Sequence, residues 1–448
     1  MKQKLGRERL YLYSPFAASV TKVEIEGHVY IALLKDAIIE AVRKNEILNA
    51  RVVITKKGEA YFENQFFETN PNETVKIYKD FDWREIEKEQ ERIPFDFEQG
   101  ELVRFFFLQN ADKQELVIMA HRLLGDGASI AFLIEDIMRS LEEQKIVNKM
   151  YKKPKRFKKE EKQSFMKKLH IKYICNQWER EGTAFSKDEY DKLYRDVWFK
   201  KVSYIQYETF YAEPLLRIGS YAKREGVMIA SVILTAFAKA SRELRQMLPK
   251  ESTDDRIARA NEMLDMNEIQ KLLRPDKFLL EISTNRDYKG IGDHAINKPF
   301  SYLYDSEISF AENVKKLDMQ VRTAEYGQEE IIVEMFPKSM TDSIHFQLAG
   351  FYMSPETEWF IKELGYDPEG VSTAVTNLAK VPIPMKYKNL SLKNYIYVPP
   401  IHPGARRTIG IAIFGSVMNI CLHAKTDDYL ANAKLFFMDG IDILKDIK

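Results

Sequence analysis

The sequence predicts an α/β fold in which mixed sheets are covered by helices. In the first third of the chain, strand-like runs alternate with helical runs: Thr21–Gly27 has the pattern of a strand, and Ala32–Asn45 has apolar residues at helical spacing. The second half repeats a similar rhythm without an internal sequence repeat. At 448 residues, the chain is long enough for two or three cores.

The remaining elements of the first third follow from local patterns. Two short runs flank the turn signal KKG and predict a hairpin, while apolar runs further on predict three more strands. The predicted hairpin strands are Arg51–Ile54 and Glu59–Glu63, the further strands Val75–Asp80, Leu102–Leu108 and Glu115–His121, and the helices Trp83–Arg92 and Ile130–Gln144.

A hydrophilic segment, KKPKRFKKEEKQ (152–163), changes the composition sharply and predicts a domain boundary. We therefore expect an N-terminal lobe over residues 1–160, linker helices over 161–195 and a C-terminal lobe over 196–448. In the second half, the patterns predict strands such as VSYIQYETF, LLEISTNR and TIGIAIFG, two consecutive helices over 214–244 and a terminal helix.

Composition excludes several classes of function. Lys and Arg (68) nearly balance Asp and Glu (67), so the electrostatic footprint of a nucleic-acid-binding surface is missing, and the aromatic runs RFFFL and AYFENQFFE are expected to be core strands. Cys175 and Cys421 form no disulfide framework or metal-ligand spacing, and no P-loop, GxGxxG or HExxH occurs. No signal peptide or membrane span is expected, and no metal; these features predict a cytoplasmic protein.

Three short stretches occur in a specific order. They are PFDFEQGELVR (94–104), HRLLGDGAS (121–129) and STNR (283–286). Together they resemble the chloramphenicol-acetyltransferase-like acyltransferases, the superfamily of condensation domains and alcohol acetyltransferases, in which PFDxxxGxLxR precedes HHxxxDG and a later strand ends in Asn and Arg. The helical run before STNR and the segment STAVTNLAKVPIP also resemble family elements, so the likeness spans the chain.

The resemblance implies two α/β lobes that meet in a V around a central tunnel, with a crossover segment near 372–390. It implies transfer of an acyl group from coenzyme A or from a carrier protein's phosphopantetheine to a small alcohol or amine. The thioester would be a cosubstrate, with no bound cofactor, and an acyl carrier protein is a possible partner. The plant-type DFGWG-like signature is absent, which favours a bacterial stand-alone member, and we expect a monomer.

On this resemblance, His121 matches the first His of HHxxxDG and Asp126 matches its Asp, which the family pairs with an arginine of the second lobe. That arginine would be Arg286, beside Asn285. Gly125 and Gly127 would keep the turn tight.

Arg122 departs from the pattern, because it occupies the place of the second, catalytic His. Arginine stays protonated at physiological pH and cannot act as a general base, an assistance worth typically about two to four orders of magnitude in rate. Three hypotheses stay open. The first is that the protein is a member of the family that binds without turnover, the second is that it transfers acyl groups slowly or with another base, and the third is that Arg122 holds a carboxylate or phosphate. An unrelated α/β protein with chance matches is a further alternative.

Other candidate groups have plainer expectations. His121 is expected to be a packed structural histidine rather than a replacement base, since a shift of one residue turns a strand side chain to the other face. His345, His402 and His423 are expected to be surface or satisfied histidines rather than catalysts, although each could line the tunnel. Arg406 and Arg407 are expected to be an exposed loop pair, with contact to a donor phosphate as the alternative.

Overall fold

A computed structural model of the chain describes residues 2–55, 59–110, 113–150, 165–181, 203–247, 275–283, 289–324, 340, 373–403, 405–426 and 430–448. The strands within these ranges are β1 (Lys2–Lys4), β2 (Ala18–Glu26), β3 (Ala50–Ile54), β4 (Ala60–Asn64), β5 (Val75–Lys79), β6 (Val103–Asn110), β7 (Lys113–His121), β8 (Ser203–Phe210), β9 (Asp276–Ser283), β10 (Ala295–Tyr302), β11 (Thr373–Lys380), β12 (Lys386–Tyr387), β13 (Leu390–Val398), β14 (Arg407–Phe414) and β15 (Val417–Lys425). The α-helices are α1 (Ile31–Lys44), α2 (Trp83–Glu91), α3 (Gly127–Leu141), α4 (Phe165–Glu181), α5 (Ala212–Glu225), α6 (Ile229–Met247), α7 (Phe310–Thr323) and α8 (Leu430–Lys445).

Two six-stranded mixed sheets define two lobes, as the sequence predicts. The first sheet has the order β12-β13-β2-β7-β6-β5, and the second has the order β10-β9-β11-β14-β15-β8. In the first sheet only β5 and β6 run parallel, whereas β11 runs parallel to both of its neighbours in the second. The predicted hairpin of β3 and β4 forms a separate small sheet with β1.

Late in the sequence, the chain leaves the second sheet, adds two strands to the first sheet and then returns. After β11 completes the middle of the second sheet, β12 and β13 cross over and pair into the first sheet, where β13 lies antiparallel to β2. The chain then returns to the second sheet as β14 and β15. Asn419 on β15 donates a hydrogen bond to the Tyr395 carbonyl oxygen on β13 over 2.9 Å, so this crossover also ties the lobes together.

The first sheet is buried on both faces, which explains its unbroken apolar runs. On β6, Phe105 and Phe107 face the core beneath α1 and α3, while Phe106 faces a second cluster with Trp83 of α2. Cys421 of the second sheet completes this second cluster. The expectation of core strands therefore holds for RFFFL, but Phe66 in AYFENQFFE is largely exposed.

Helix α3 begins three residues earlier than its apolar pattern predicts. Asp126 is its N-cap, and the carboxylate Oδ1 accepts from the Ser129 backbone N–H over 3.0 Å. A cap of this kind satisfies an amide that the helix itself leaves unpaired. The helix N-terminus is thereby fixed directly beneath the HRLLGDG turn.

Several expected features lie outside the described residues. These are the charged boundary segment 152–163, Asn285, Arg286 and the predicted strand around His345. Within the described residues, no helix combines the length and apolar character needed to cross a bilayer.

Candidate functional site at the lobe junction

Arg122 lies in a buried ion-pair network that joins the two lobes. Its side chain is 1% exposed, and Nη2 lies 2.8 Å from Asp293 Oδ1 and 3.4 Å from Glu281 Oε2. Glu281 is on β9 of the second sheet and Asp293 precedes β10, whereas Arg122 follows β7 of the first. The guanidinium also lies over the Tyr11 ring, 5.2 Å from its centroid. Asp293 and Glu281 raise the Arg122 pKa against the effect of burial, so the side chain stays charged.

Asp126 bridges the lobes through hydroxyl groups. Besides capping α3, the carboxylate accepts a hydrogen bond through Oδ2 from Ser283 Oγ over 2.7 Å, at the end of β9. Burial raises the pKa of Asp126, while the nearby Arg122 charge and these hydrogen bonds oppose the rise. The predicted partner Arg286 lies outside the described residues, so the pairing of Asp126 with Arg286 stays a prediction.

Gly125 and Gly127 allow the close approach of the two lobes. A Cβ atom on Gly125 would lie 2.6 Å from Ser129 Oγ and 2.9 Å from the Gly292 nitrogen. On Gly127 it would lie 2.7 Å from both Leu378 and Tyr397 side-chain atoms. The turn therefore needs glycine for space at both positions.

His121 is a packed, neutral histidine. Its ring lies edge-on to Phe95, and burial together with the Arg104 charge lowers its pKa to about 3. Nδ1 accepts a hydrogen bond from the Leu123 backbone N–H over 3.2 Å. Because an amide can only donate, Nδ1 is unprotonated and the neutral ring carries its proton on Nε2. The ring can donate a hydrogen bond from Nε2 but cannot take a proton there.

His121 lines a cavity of about 500 Å³ at the junction of the lobes. The walls come mainly from the segment before β2, the loop after α2 and strand β7, and the second lobe contributes His423. The lining residues include Leu12, Tyr13, Phe16, Val20, Ile54, Ile93, Phe95, Phe97, Met119, Glu87, Gln90 and Glu91.

The motif PFDFEQGELVR shapes one wall of this cavity. Arg104 donates to the Ile93 and Pro94 carbonyl oxygens, both over 2.8 Å, and pairs with Glu101 over 2.7 Å. Its guanidinium also lies over the Phe95 ring, 4.1 Å from the centroid. The arginine at the end of the motif thus fixes the loop that carries Phe95 against His121.

Two acidic residues on this wall were not predicted, and they lie beside His423, for which a place in the tunnel lining was the alternative expectation. Glu87 and Glu91 lie four residues apart on α2 and are buried, as is His423 on β15. Burial raises the pKa of both carboxyl groups, and for Glu87 the neighbouring Glu91 raises it further. The signal was present in the sequence, because both glutamates share a helix face with Trp83 and Ile86.

His402 and Arg407 are buried inside the fold. His402 Nδ1 lies 2.7 Å from the Pro403 carbonyl oxygen, and the ring is edge-on to Tyr11. The expectation of an exposed arginine pair is wrong for Arg407, which is buried on β14 and donates to Thr373 Oγ1 over 2.9 Å. Its guanidinium stacks 3.4 Å above the Phe436 ring centroid, so it is a packing residue of the second lobe.

Comparison with solved structures identifies the fold. The chain is similar to the first condensation domain of the CDA synthetase, with a TM-score of 0.61, 11% identity and coverage of 100% of this chain and 97% of that one. It is also similar to the condensation domain of the Monacolin K polyketide synthase MokA (TM-score 0.56, 12% identity, 99% and 97% coverage). Polyketide synthase associated protein 5 from Mycobacterium tuberculosis gives a TM-score of 0.59 at 9% identity, over 99% and 97%.

These likenesses show that the chain has the fold of these condensation domains, as the motifs predict. No family model matches the sequence. No curated protein matches it either.

Proposed function

We propose that the protein binds an acyl thioester in the cavity at the lobe junction and lacks the family's general base. The observation that carries the proposal is the placement of Arg122, whose Nη2 lies 2.8 Å from Asp293 in a buried contact between lobes. A guanidinium held there is a structural cation. The position that the resemblance assigns to catalysis therefore serves the lobe interface.

The cavity suits an acyl group on a thioester. Its wall is largely apolar, with Phe16, Val20 and Phe97 among the lining side chains, so an acyl chain would bury apolar surface there. The Nε2–H of His121 is a hydrogen-bond donor that suits a carbonyl oxygen. We infer that coenzyme A or the phosphopantetheine of a carrier protein presents the acyl group.

One observation favours slow acyl transfer to a small alcohol or amine as a second candidate. His423 lines the same cavity, and its Nδ1 lies 2.7 Å from the Pro399 carbonyl oxygen. A carbonyl oxygen only accepts, so Nδ1 carries the proton and the Nε2 lone pair accepts a hydrogen bond from Ser203 Oγ over 2.7 Å. Burial lowers the pKa of His423 to about 4, which makes it a weak base.

Two measurements on the same samples separate the candidates. Equilibrium dialysis measures binding of acyl-coenzyme A thioesters of increasing chain length and of an acyl-phosphopantetheine carrier protein. Thiol release is then followed over a panel of alcohols and amines. Saturable binding without release supports the binding function. Release that depends on the acceptor and is lost in His423→Gln supports transfer. A failure to bind any of these thioesters overturns both.

Restoring the family histidine needs compensating changes. Arg122→His alone would leave Asp293 and Glu281 buried without their cation, which is a severe cost. The informative variant combines Arg122→His with Asp293→Asn and Glu281→Gln. Its control has the same two carboxamide changes, but glutamine instead of histidine at position 122. Release by the histidine variant alone would show a transferase scaffold whose base had been replaced.

A further inference from the structure

Helix α2 and strand β15 bring three metal-ligating side chains together across the lobe junction. One ligand atom each from Glu87, Glu91 and His423 lies within 4.8 Å of the other two. All three residues are buried, and all three line the cavity. We propose that this cluster is a binding site for a divalent transition-metal ion, with Zn²⁺ as its probe.

The composition of the cluster suits a cation. Glu87 and Glu91 are buried, and within the described residues neither forms an ion pair with a lysine or arginine. The basic residues closest in sequence, Lys88 on α2 and Arg92 directly after it, are exposed. A buried carboxyl group is normally protonated, paired or coordinated to a metal, and a dication that displaced the protons would compensate both carboxylates at once.

The hydrogen bonds of His423 and Glu91 orient them as ligands. His423 Nδ1–H donates to the Pro399 carbonyl oxygen over 2.7 Å, which leaves the Nε2 lone pair directed away from it. This is the outer-shell arrangement that fixes the tautomer of a metal-bound histidine. Glu91 accepts from the Ser203 backbone N–H over 3.0 Å through both oxygens, which anchors the end of α2 to β8.

The spacing matches a small ion. Glutamates four residues apart project from one face of a helix. Zn²⁺ holds nitrogen and oxygen ligands at about 2.0–2.2 Å, so two ligand atoms on one ion lie at most about 4.4 Å apart and the cluster closes slightly on binding. At present Ser203 Oγ lies 2.7 Å from His423 Nε2, so the hydroxyl would give way to the ion.

Three protein ligands leave a fourth position for a small ligand. Because Glu87, Glu91 and His423 line the cavity, that position is within reach of a molecule bound there. An oxygen atom of a carboxylate or carbonyl group is a suitable fourth ligand for the ion. The ion would also link α2 of the first lobe to β15 of the second.

The test is a Zn²⁺ titration of the full chain against a chromogenic competitor after removal of metal with a chelator. The variants Glu91→Gln and His423→Asn each remove one ligand. Ser203→Ala removes the competing hydroxyl but no ligand, and Glu85→Gln changes an exposed glutamate on the same helix. Circular dichroism in the presence of chelator checks that each variant is folded.

We expect one ion per chain at this site, and a loss of affinity of at least tenfold in Glu91→Gln and His423→Asn, since changes to outer-shell partners alone cost about 10–100-fold. Ser203→Ala and Glu85→Gln should bind like the unchanged protein or more tightly. X-ray absorption should show one imidazole among light-atom ligands. An unchanged stoichiometry and affinity in both ligand variants, or no binding by the unchanged protein, would overturn the proposal. If either ligand variant is unfolded, the comparison rests on Glu87→Gln.

Discussion

Replacing Arg122 with glutamine tests the proposed interface role of this residue. The substitution removes the charge but keeps a polar side chain, and it leaves Asp293 and Glu281 buried without their cation. At 2.8 Å and an effective dielectric constant of about 20, the attraction to Asp293 alone is about 6 kcal/mol before desolvation. Breaking a buried pair by removing one partner costs about 3–5 kcal/mol net. We therefore expect the free energy of unfolding to fall by about 3–5 kcal/mol, a large part of a typical domain's stability.

Urea unfolding at pH 7, followed by circular dichroism, measures this loss. Arg84→Gln is the matched control, because Arg84 and Asp82 lie 2.6 Å apart but are 52% and 40% exposed, and such a pair contributes about 1 kcal/mol or less. The double variant Arg122→Gln with Asp293→Asn should regain part of the loss, since one unpaired carboxylate is then neutral. A loss for Arg122→Gln no greater than that for Arg84→Gln would mean that the Arg122 ion pairs do not stabilise the lobe interface.

Three further predictions concern the same junction. The pKa of His121 is lowered from 6.5 to about 3, so the contribution of His121 to the free energy of unfolding is complete above pH 6.5 and is lost as the pH falls toward 3. His121→Asn should therefore reduce the fall in stability with falling pH, measured by urea unfolding between pH 7 and pH 4. An unchanged pH dependence would contradict a buried, neutral His121. Gly127→Ala should lower the melting temperature, because its Cβ would meet Tyr397 and Leu378 atoms at 2.7 Å and overpacking costs about 1–3 kcal/mol. Gly219→Ala in α5, whose Cβ would meet only Ile229 of α6 at 4.0 Å, should instead stabilise by about 0.5–1 kcal/mol, and equal shifts would argue against a tight turn. Ser283→Ala should cost about 1 kcal/mol by removing a hydrogen bond to a buried carboxylate, and a neutral result would mean that Asp126 does not depend on this contact.

Much of the fold could be predicted, because local patterns and tertiary burial agree. The hairpin of β3 and β4 and the apolar run of β6 follow from periodicity and turn chemistry. The two-lobed architecture came from the ordered motifs. The crossover of β13 into the first sheet could not be derived from periodicity, since pairing between distant strands leaves no mark in either strand's own pattern.

The motif HRLLGDG singled out His121, Arg122 and Asp126, and all three lie at the lobe junction, while their roles in function stay predictions. The departure at Arg122 was visible in the sequence alone. The partners of Arg122 were not, because Asp293 is 171 residues away in the chain and belongs to no motif. The burial of Glu87 and Glu91 was not predicted, although both share a helix face with Trp83 and Ile86. Their proximity to His423 depends on the position of β15, which no local pattern gives.

A single-turnover thioester experiment shows whether the protein only binds the acyl group or also transfers it. The protein is mixed in excess with an acyl-coenzyme A or acyl-carrier thioester that it binds, together with the panel of alcohols and amines, and bound thioester and free thiol are followed together. We expect the thioester to stay intact on the protein, with thiol release no faster than in buffer. Acceptor-dependent release by the unchanged protein would contradict this expectation and would place catalysis on a group other than Arg122.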